Sequence, residues 1–420
     1  MSQLGYMEKL LDGVEVEWKE LWQVTIWDKK FNAVERDKQP RVIKYHYFLA
    51  KDLKSLVLET GNVKLLTTNL SNLWTSEELA GEKVSEGEVI AIPWGGNPVV
   101  QYYKGKFLTT DNRIATSADT DLLNNKFLYY YLLSQIDLIS SFYRGSGIKH
   151  PSMSDVLHIS IPIPPLIVQA EIVRILDTFT GITAELTAEL TAELTARRQQ
   201  YGYYREQLLT FEEGEVQHLP MGTKGVGEFV RGKGLQKKDF TNAGIGCIHY
   251  GQIYTQYNTY AYKTQSFVSS EFAEKARKAQ QGNLIIATTS ENDEDLCKAV
   301  AWLGSEEIAI SNDACIYKHT LDPKFVSYFF QTEQFQEQKR QYITGTKVRR
   351  VNADNLAKIK IPVPSMLEQQ RIVSILDKFD ALTTSLTEGL PREIELRQQQ
   401  YEYYRGLLLS FPKPEVVAHD

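Results

Sequence analysis

The chain carries one long stretch twice. Residues 161–211 align with residues 361–411 at an offset of 200 without a gap, and about half of the aligned positions are identical. Ile175-Leu176-Asp177 returns as Ile375-Leu376-Asp377, and Phe211 returns as Phe411. An internal duplication of this length predicts two structural units of equal size.

Each copy has the pattern of a long amphipathic helix. Apolar residues recur in steps of three and four at positions 172, 175, 176, 179, 182 and 186, and at the same positions plus 200. The prolines that precede each copy favour an extended approach to it. Such a helix is most often one part of a core, but the duplicated length favours a spacer here.

A tetrapeptide array occupies the middle of the first copy. The sequence TAEL repeats from Thr183 to Leu194, so Leu186, Leu190 and Leu194 lie four residues apart. Each step advances the leucines by about 40° around the helix, and a ridge of this type suits packing against another helix. The second copy has Gly389-Leu390-Pro391 at the equivalent place, which predicts a kink or break.

The chain opens with a fragment of the same repeat. Glu15-Val16 returns as Glu215-Val216 and as Glu415-Val416, and residues 6–11 resemble residues 204–209. This pattern predicts a circular arrangement, in which residues 1–13 pack with the end of the C-terminal helix.

Composition limits the possible classes of protein. A chain of 420 residues is long enough for two or three domains. Its three cysteines form no CxxC pair, which indicates a reducing cytoplasm. The N-terminus is too charged for a signal peptide, and the apolar run Phe127 to Ile139 is too short to cross a membrane. The net charge of −6 argues mildly against nucleic acid, although the acidic residues are unevenly spread.

Two globular blocks lie between the helices. In the first, Trp22 to Trp27 and Val89 to Ile92 have the composition of strands, and Phe127 to Ile139 that of a helix. The second block repeats this plan loosely. We therefore divide the chain into an N-terminal repeat fragment (1–13), a first block (14–160), a central helical spacer (161–213), a second block (214–360) and a C-terminal helical spacer (361–420).

Basic residues gather in the blocks, and two groups stand at matching places 200 residues apart. Basic loops with aromatic neighbours suit contact with phosphates and base edges. Taken singly, each group is more often an ordinary solvated surface, but the recurrence favours a DNA interface. The candidate DNA-binding residues are Arg41, Lys44, Arg144, Lys149, His150, Lys237, Lys238, Lys347, Arg349 and Arg350.

Catalytic motifs are missing from the sequence. Residues 227–234 imitate a phosphate-binding loop, but Gly234 replaces the hydroxyl residue that would hold magnesium. Glu17 and Lys19 have the spacing found in some nucleases, with Asp12 as a poorly placed partner. No zinc-protease, nucleophile-elbow or adenine-methylation motif is present. The chain is therefore interpreted as a binding protein with no catalytic and no metal-binding residues.

Two variable blocks that alternate with two similar helices resemble the specificity subunit of type I restriction–modification systems. The resemblance rests on three features. The sequences IPIPP and IPVP lead into the two helices, Gln169 to Val173 and Glu368 to Val373 follow them, and both helices end in Tyr-x-Tyr-Tyr-Arg. The array is similar to that of a subfamily with TAEL repeats. The match covers the whole chain and is weakest in the first block.

The resemblance implies an α+β fold with two target-recognition domains, separated by two long antiparallel spacer helices and related by a pseudo-twofold axis. Each domain would read one half of a split double-stranded DNA sequence, with centres about 10 base pairs apart. Two methyltransferase subunits that bind S-adenosylmethionine, and motor-nuclease subunits that use ATP and Mg²⁺, would be the partners in the cytoplasm. Candidate docking residues for the methyltransferases are Tyr201, Tyr204, Tyr401 and Tyr404, for which packing within the chain is an equal alternative.

Two other functions compete with this interpretation. One is an interaction scaffold, in which two modules on a coiled coil bind protein or carbohydrate. The other is a degenerate nuclease built on Glu17 and Lys19. Binding to duplex DNA that weakens steeply with salt would separate the first from a DNA-binding subunit. Cleavage by the isolated chain with magnesium would favour the second.

Overall fold

The structure is a computed structural model, and it describes residues 13, 16–212, 214–384 and 388–412. The chain divides into two compact units. Unit 1 consists of Met1–Thr187 and Leu396–Asp420, and unit 2 consists of Ala188–Glu395. Each unit contains one globular block together with parts of both long helical stretches. The predicted packing of residues 1–13 concerns residues that lie outside the described ones, apart from Gly13.

The block of unit 1 is an α+β domain. Its strands are β1 (Glu17–Glu20), β2 (Thr25–Trp27), β3 (Val63–Leu66), β4 (Trp74–Thr75), β5 (Ser85–Pro93), β6 (Gln101–Thr109), β7 (Asn112–Ser117), β8 (Tyr143–Arg144), β9 (His150–Pro151) and β10 (Ser160–Ile163). Its helices are α1 (Leu21–Val24), α2 (Ala50–Lys54), α3 (Glu77–Ala80), α4 (Asn125–Ser134), α5 (Ile136–Ser141) and α6 (Met153–Leu157), with short 3₁₀ turns at Arg36–Lys38 and Gly81–Lys83.

A six-stranded sheet in the order β2-β7-β5-β6-β3-β4 forms the centre of this block. The run from Val89 to Ile92 in β5 is buried at every position, because both faces of the sheet are covered. Helix α4 contributes Phe127 and Leu128 to the core. The predicted strand at 89–92 is confirmed, and the predicted helix at 127–139 is present as α4 and α5, which separate at Gln135.

The prediction of a strand from Trp22 to Trp27 is wrong in its first half. Leu21–Val24 form the helical turn α1, and only Thr25–Trp27 form a strand. The backbone N–H of Glu20 donates to Oε1 of Gln23 at 2.7 Å, which closes the first turn of the helix. This local cap overrides the preference of the apolar and β-branched residues for a strand.

The central helix α7 runs unbroken from Leu166 to Leu209, 44 residues, or about 66 Å at 1.5 Å per residue. Leu186 is exposed, whereas Leu190 and Leu194 are half-buried. The half-buried positions from 183 to 197 alternate in steps of four and three. The shielded stripe therefore follows a seven-residue spacing and not the four-residue ridge expected from the leucines, because steps of four drift around the helix.

The block of unit 2 has the same class of fold. Its strands are β11 (Gln217–Pro220), β12 (Gly227–Arg231), β13 (Ile245–Ile248), β14 (Tyr260–Ala261), β15 (Ser266–Val268), β16 (Lys278–Ala279), β17 (Leu284–Ala287), β18 (Thr289–Ser290), β19 (Ala299–Trp302), β20 (Ile308–Ile310), β21 (Ala314–His319), β22 (Arg349–Arg350) and β23 (Lys360–Val363). Its helices are α8 (Tyr250–Thr255), α9 (Ser270–Lys275), α10 (Pro323–Phe329), α11 (Glu333–Arg340) and α12 (Ala353–Leu356), with a 3₁₀ turn at Lys237–Asp239.

Two sheets share the core of this block, one in the order β12-β21-β17-β19-β14 and one in the order β15-β13-β20-β16. The strands β12, β21 and β17 correspond to β2, β7 and β5 of the first block. Trp27 lies opposite Ala115 in unit 1, and Arg231 lies opposite Cys315 in unit 2. The stretch that imitates a phosphate loop is therefore mostly an extended strand.

The C-terminal helical stretch is broken where the sequence predicts it. Helix α13 spans Met366–Thr384, and helix α14 spans Gly389–Leu408. Gly389 has a φ of +77°, and a Cβ there would lie 2.6 Å from the carbonyl oxygen of Ala381. Glycine is the residue that adopts this conformation without strain.

Within each unit, two helices pack antiparallel. In unit 1, Phe179 lies 5.6 Å from Tyr404 between ring centroids, while Leu176 shares a core with Leu408 and Leu409 nearer the end of α14. Residues with lower numbers in α7 therefore meet residues with higher numbers in α14, so the two helices run antiparallel. The ends of α7 and α13 run antiparallel in unit 2 in the same way, since Phe379 stacks on Tyr204 at 5.5 Å and Arg198 reaches the carbonyl oxygen of Thr383.

Candidate nucleic-acid interface

A short hairpin projects from the block of unit 1. Strands β8 and β9 pair antiparallel and enclose the turn of residues 145–149. Gly145 has a φ of +142°, and a Cβ on it would lie 2.9 Å from the carbonyl oxygen of Ile148. Lys149 and His150 are exposed, and the Ile148 side chain is 71% exposed at the tip. The candidate residues Arg144, Lys149 and His150 therefore share one projecting loop.

This hairpin joins the loop that follows β5. The backbone N–H of Gly96 donates to the carbonyl oxygen of Lys149 at 3.1 Å, and Nδ1 of His150 lies 2.7 Å from the carbonyl oxygen of Trp94. The rings of Trp94 and His150 lie 5.3 Å apart. We call residues 93–96 and 144–150 the first loop pair. Arg144 also forms an ion pair with Asp155 at 3.2 Å, so part of its charge is already compensated.

Arg41 and Lys44 are exposed on a segment that runs beside β2. The backbone N–H of Ile43 donates to the carbonyl oxygen of Trp27 at 3.0 Å. Asp28, which follows Trp27, is buried. Its carboxylate accepts hydrogen bonds from the backbone N–H of Ile114 at 2.9 Å and from the hydroxyl of Tyr47. Burial raises the pKa of the Asp28 carboxyl, although these hydrogen bonds oppose the shift. This polar group anchors the segment to the sheet.

Unit 2 has a loop of the same construction. Thr344 and Arg350 pair across it, and β22 pairs with β18. Gly345 has a φ of +88°, and a Cβ on it would clash with the carbonyl oxygen of Val348, as at the matching glycine of unit 1. We call residues 288–293 and 344–350 the second loop pair. The match at an offset of 200, first seen in the sequence, thus extends to backbone conformation.

The three basic residues of this loop are not equally free. Nε of Arg349 lies 3.0 Å from Oδ1 of Asp293, and its Nη1 donates to the carbonyl oxygen of Gly345 at 2.8 Å. Lys347 and Arg350 are exposed. Within the ranges that the structure describes, neither of these two side chains forms an ion pair. Lys347 and Arg350 are therefore the better placed to meet an anionic ligand.

A cavity of about 230 Å³ opens beside the second loop pair. Seven of its ten lining residues are polar or charged, and they include two arginines, three threonines and one carboxylate. Nε of Arg231 donates to the carbonyl oxygen of Asn312 at 2.9 Å, which holds the arginine at this place. The charged and amide side chains that line it are Arg231, Asp313, Arg350 and Asn352.

Lys237 belongs to the same region of unit 2. The pKa of His249 is lowered, first by burial and then by the charge of Lys237, while Asp313 raises it. Both charged residues therefore lie within electrostatic reach of one histidine. Lys238 is exposed on the same 3₁₀ turn. Four separate parts of the sequence thus line the cavity, namely residue 231, residue 313 and the two stretches of the second loop pair, and residues 237–238 lie in the same region.

The sequence did not single out several residues that belong to these surfaces. Trp94, Arg113, Arg231 and Asp313 are charged or aromatic residues next to the loops, yet none was a candidate. Arg113 and Asp313 each follow an asparagine, Asn112 or Asn312, at the offset of 200. The alignment of these two asparagines could have identified Arg113 and Asp313 as equivalent positions from the sequence alone.

The candidate docking tyrosines are partly used within the chain. Tyr201 is only 6% exposed and packs in the core of unit 2, and Tyr204 stacks on Phe379. The Tyr401 hydroxyl lies 3.0 Å from Oγ1 of Thr180, and Tyr404 packs on Phe179. The most exposed tyrosines of the two motifs are Tyr203, at 61%, and Tyr403, at 53%, while Tyr204 and Tyr404 remain 39% and 38% exposed.

Glu17 and Lys19 lie on β1 and pair with each other at 3.0 Å. Among the described residues, no group of three or more histidine, cysteine, aspartate or glutamate side chains is arranged to hold a metal ion. Cys247, Cys297 and Cys315 are free and buried. None of the described helices combines the length and apolar character needed to cross a membrane.

Comparison with known proteins gives one consistent result. Residues 49–196 and 221–396 match the family model described as type I restriction modification DNA specificity domain. The EcoR124I/EcoR124II type I restriction enzyme specificity subunit of Escherichia coli is 35% identical over 438 residues and is aligned over 100% of both chains. The putative specificity subunit S.HindORF215P of Haemophilus influenzae is 33% identical, with 97% of this chain and 98% of that protein covered.

Solved structures of similar fold include the following one. It is a chain from a study of complex assembly and conformational transition of the type I restriction–modification system. The TM-score is 0.60 with 13% identity, and the alignment covers 94% of this chain and 98% of the other. At this identity the likeness concerns the fold alone.

Proposed function

Because the chain belongs to the family of type I restriction–modification DNA specificity subunits, we propose that its two blocks are target-recognition domains that each read one half of a split DNA sequence. The chain confers sequence specificity on a restriction–modification complex. Specificity subunits are non-catalytic, and the chain needs partner subunits to act on DNA.

One observation carries the proposal for the blocks. Each block holds a loop turned by a positive-φ glycine, at positions 145 and 345, and each loop is followed by exposed basic residues. A pair of basic loops at equivalent places suits the two halves of a DNA site. Both loops can contact phosphates, and the side chains of each loop can read the base edges of its own half-site.

The partners follow from the same assignment. Two methyltransferase subunits would bind beside the long helices, and the tyrosines at 201, 204, 401 and 404 stay candidates for that contact or for internal packing. The methyltransferase subunits would bind S-adenosylmethionine, the methyl donor. Motor-nuclease subunits would supply ATP hydrolysis and bind Mg²⁺. The TAEL array would set the distance between the half-sites. A cytoplasmic location fits a DNA-binding partner and three free, buried cysteines.

The test is to produce the full chain with a methyltransferase partner and to map methylated adenines in cellular DNA. A split target sequence is expected. Exchange of residues 14–160 for the matching block of another specificity subunit should change only one half of it. The isolated chain should neither methylate nor cleave DNA. If the complex methylates without a split sequence, or if both halves change together, the proposal fails.

A further inference from the structure

One position beside the loop pairs carries opposite charge in the two blocks. Ala115 and Cys315 are equivalent, because each lies opposite the last residue of the matching edge strand. Two residues earlier in each block stand Arg113, the second residue of β7, and Asp313, directly before β21. The same place in the fold is therefore a cation in one block and an anion in the other.

In unit 1 this position is covered. The Arg113 side chain is only 7% exposed, and its Nη1 lies 3.1 Å from Oδ1 of Asp111. The guanidinium also lies 4.0 Å from the centroid of the Trp94 ring. An arginine that is stacked, paired and covered in this way supports the first loop pair and has little surface left for a ligand.

In unit 2 the same position is open. Asp313 lines the cavity of about 230 Å³ together with Arg231 and Arg350. The backbone of Asp313 is fixed, since the N–H and the hydroxyl of Thr288 both donate to its carbonyl oxygen at 3.0 Å. Its carboxylate makes no hydrogen bond or ion pair within residues 16–212, 214–384 and 388–412. The cavity thus sets a free acceptor next to two arginine donors.

We propose that Asp313 and Arg350 read a G·C base pair in the half-site of the second block. This inference rests on the proposed function of that block. In the major groove, guanine presents two acceptors that match an arginine, and cytosine presents an amino donor that matches a carboxylate. An A·T pair also presents an amino donor, but neither of its bases presents two acceptors to one arginine. The covered Arg113 does not take this role, so the two blocks read different bases at the corresponding place.

The experiment uses the whole methyltransferase complex and the mapping of methylated adenines. Exchange of residues 214–360 first shows which half-site belongs to the second block. That half-site should contain a G·C pair at which Asp313→Asn and Arg350→Ala each lower discrimination by about tenfold or more, while the other half-site stays unchanged. Asp354→Asn is the matched control, because Asp354 is an exposed carboxylate in the same region of the chain, and it should leave the sequence unchanged.

A second measurement covers variants that methylate poorly. The purified complexes are titrated with duplexes that carry either the G·C pair or each other pair at that position. The inference is supported if the ratio of dissociation constants falls for Asp313→Asn and Arg350→Ala. It is overturned if the ratios match those of the unmodified complex, or if the half-site has no G·C pair. Absence of any split sequence for the unmodified complex would instead contradict the proposed function.

Discussion

Gln169 and Gln369 have two hydrogen bonds in common in the two copies of one joint. The side-chain amide of each donates to the carbonyl oxygen of the proline five residues before it, at 2.8 Å in both cases. The Oε1 atoms accept the backbone N–H of Asn124 at 2.8 Å and of Asp322 at 2.7 Å. Each buried glutamine thus ties the start of a long helix to its own block, although the flanking residues differ between the copies.

A second duplicated contact reinforces this joint. Lys126 and Tyr130 both reach the carboxylate of Asp177, at 2.8 and 2.7 Å. In the other unit Lys324 and Tyr328 reach Asp377 at the same two distances. Because a spacer can position a domain only if the two are rigidly connected, these joints are what would convert helix length into the separation of half-sites.

We expect Gln369→Ala to destabilise unit 2 by about 2–4 kcal/mol, because it leaves the N–H of Asp322 and the carbonyl of Pro364 without partners in a buried site. Chemical denaturation of the full chain measures the effect. Gln370→Ala is the control, since Gln370 is exposed and should change the stability by less than about 0.5 kcal/mol. Equal effects of the two substitutions would show that the joint contributes nothing specific.

Replacement of Lys347, Arg349 and Arg350 by alanine should weaken DNA binding and reduce its salt dependence. If all three residues met phosphate, the slope of log affinity against log salt would fall by about three units. We expect about one, because Arg349 is paired with Asp293 and the proposed role of Arg350 directs it to a base, which leaves Lys347 for a phosphate. Titration of the complex with duplex DNA at several salt concentrations gives the slope. Alanine at the exposed Lys263 and Lys275 should leave it unchanged, and a triple variant with the same slope as the control would mark the loop as ordinary surface.

Stability should depend on pH through His319. This side chain is half-buried, its covered Nε2 has no hydrogen-bond partner among the described residues, and burial lowers its pKa to about 4. The unfolded histidine takes up its proton near pH 6.5, so between pH 6.5 and about 4 the unfolded state binds more protons. The folded state therefore loses stability as the pH falls through this window, by up to about 3 kcal/mol.

His319→Gln should flatten the stability profile between pH 6.5 and 4, whatever its effect at neutral pH. Unfolding by urea at a series of pH values measures this. His46→Gln is the comparison, because His46 is exposed and its replacement should preserve the profile. A slope that survives in the His319 variant would assign the pH dependence to other groups.

The sequence predicts the parts of this molecule that repeat. The two long helical stretches and the loops at 145 and 345 are located by an offset of 200, because the duplication preserved their backbone requirements. The break at Gly389 is predicted instead by Gly389-Leu390-Pro391, where the second copy departs from the first. The cavity beside the second loop pair was not predicted. It forms because β12 lies beside β21 and because β22 pairs with β18, which brings Arg231, Asp313 and Arg350 together from distant parts of the chain. Local patterns carry no record of that pairing.

Removal of one array unit, Thr191 to Leu194, should bring the two half-sites about one base pair closer. Four residues shorten α7 by about 6 Å and turn its ends by about 40° relative to each other. Neighbouring base pairs are about 3.4 Å and about 34° apart, so the change resembles a step along DNA of one to two pairs. The C-terminal stretch keeps its length, and its break at Gly389 must absorb the difference, which favours the smaller value.

A three-residue deletion is the control for this experiment. It shortens the helix by about 4.5 Å but turns it about 60° in the opposite sense, so that the domains no longer follow the duplex. The four-residue deletion should retain methylation at the same half-sites with a shorter gap, because it changes no residue of either loop pair, while the three-residue deletion should lose most methylation. Mapping of methylated adenines distinguishes the outcomes. An unchanged gap after removal of Thr191 to Leu194 would show that the array does not set the distance.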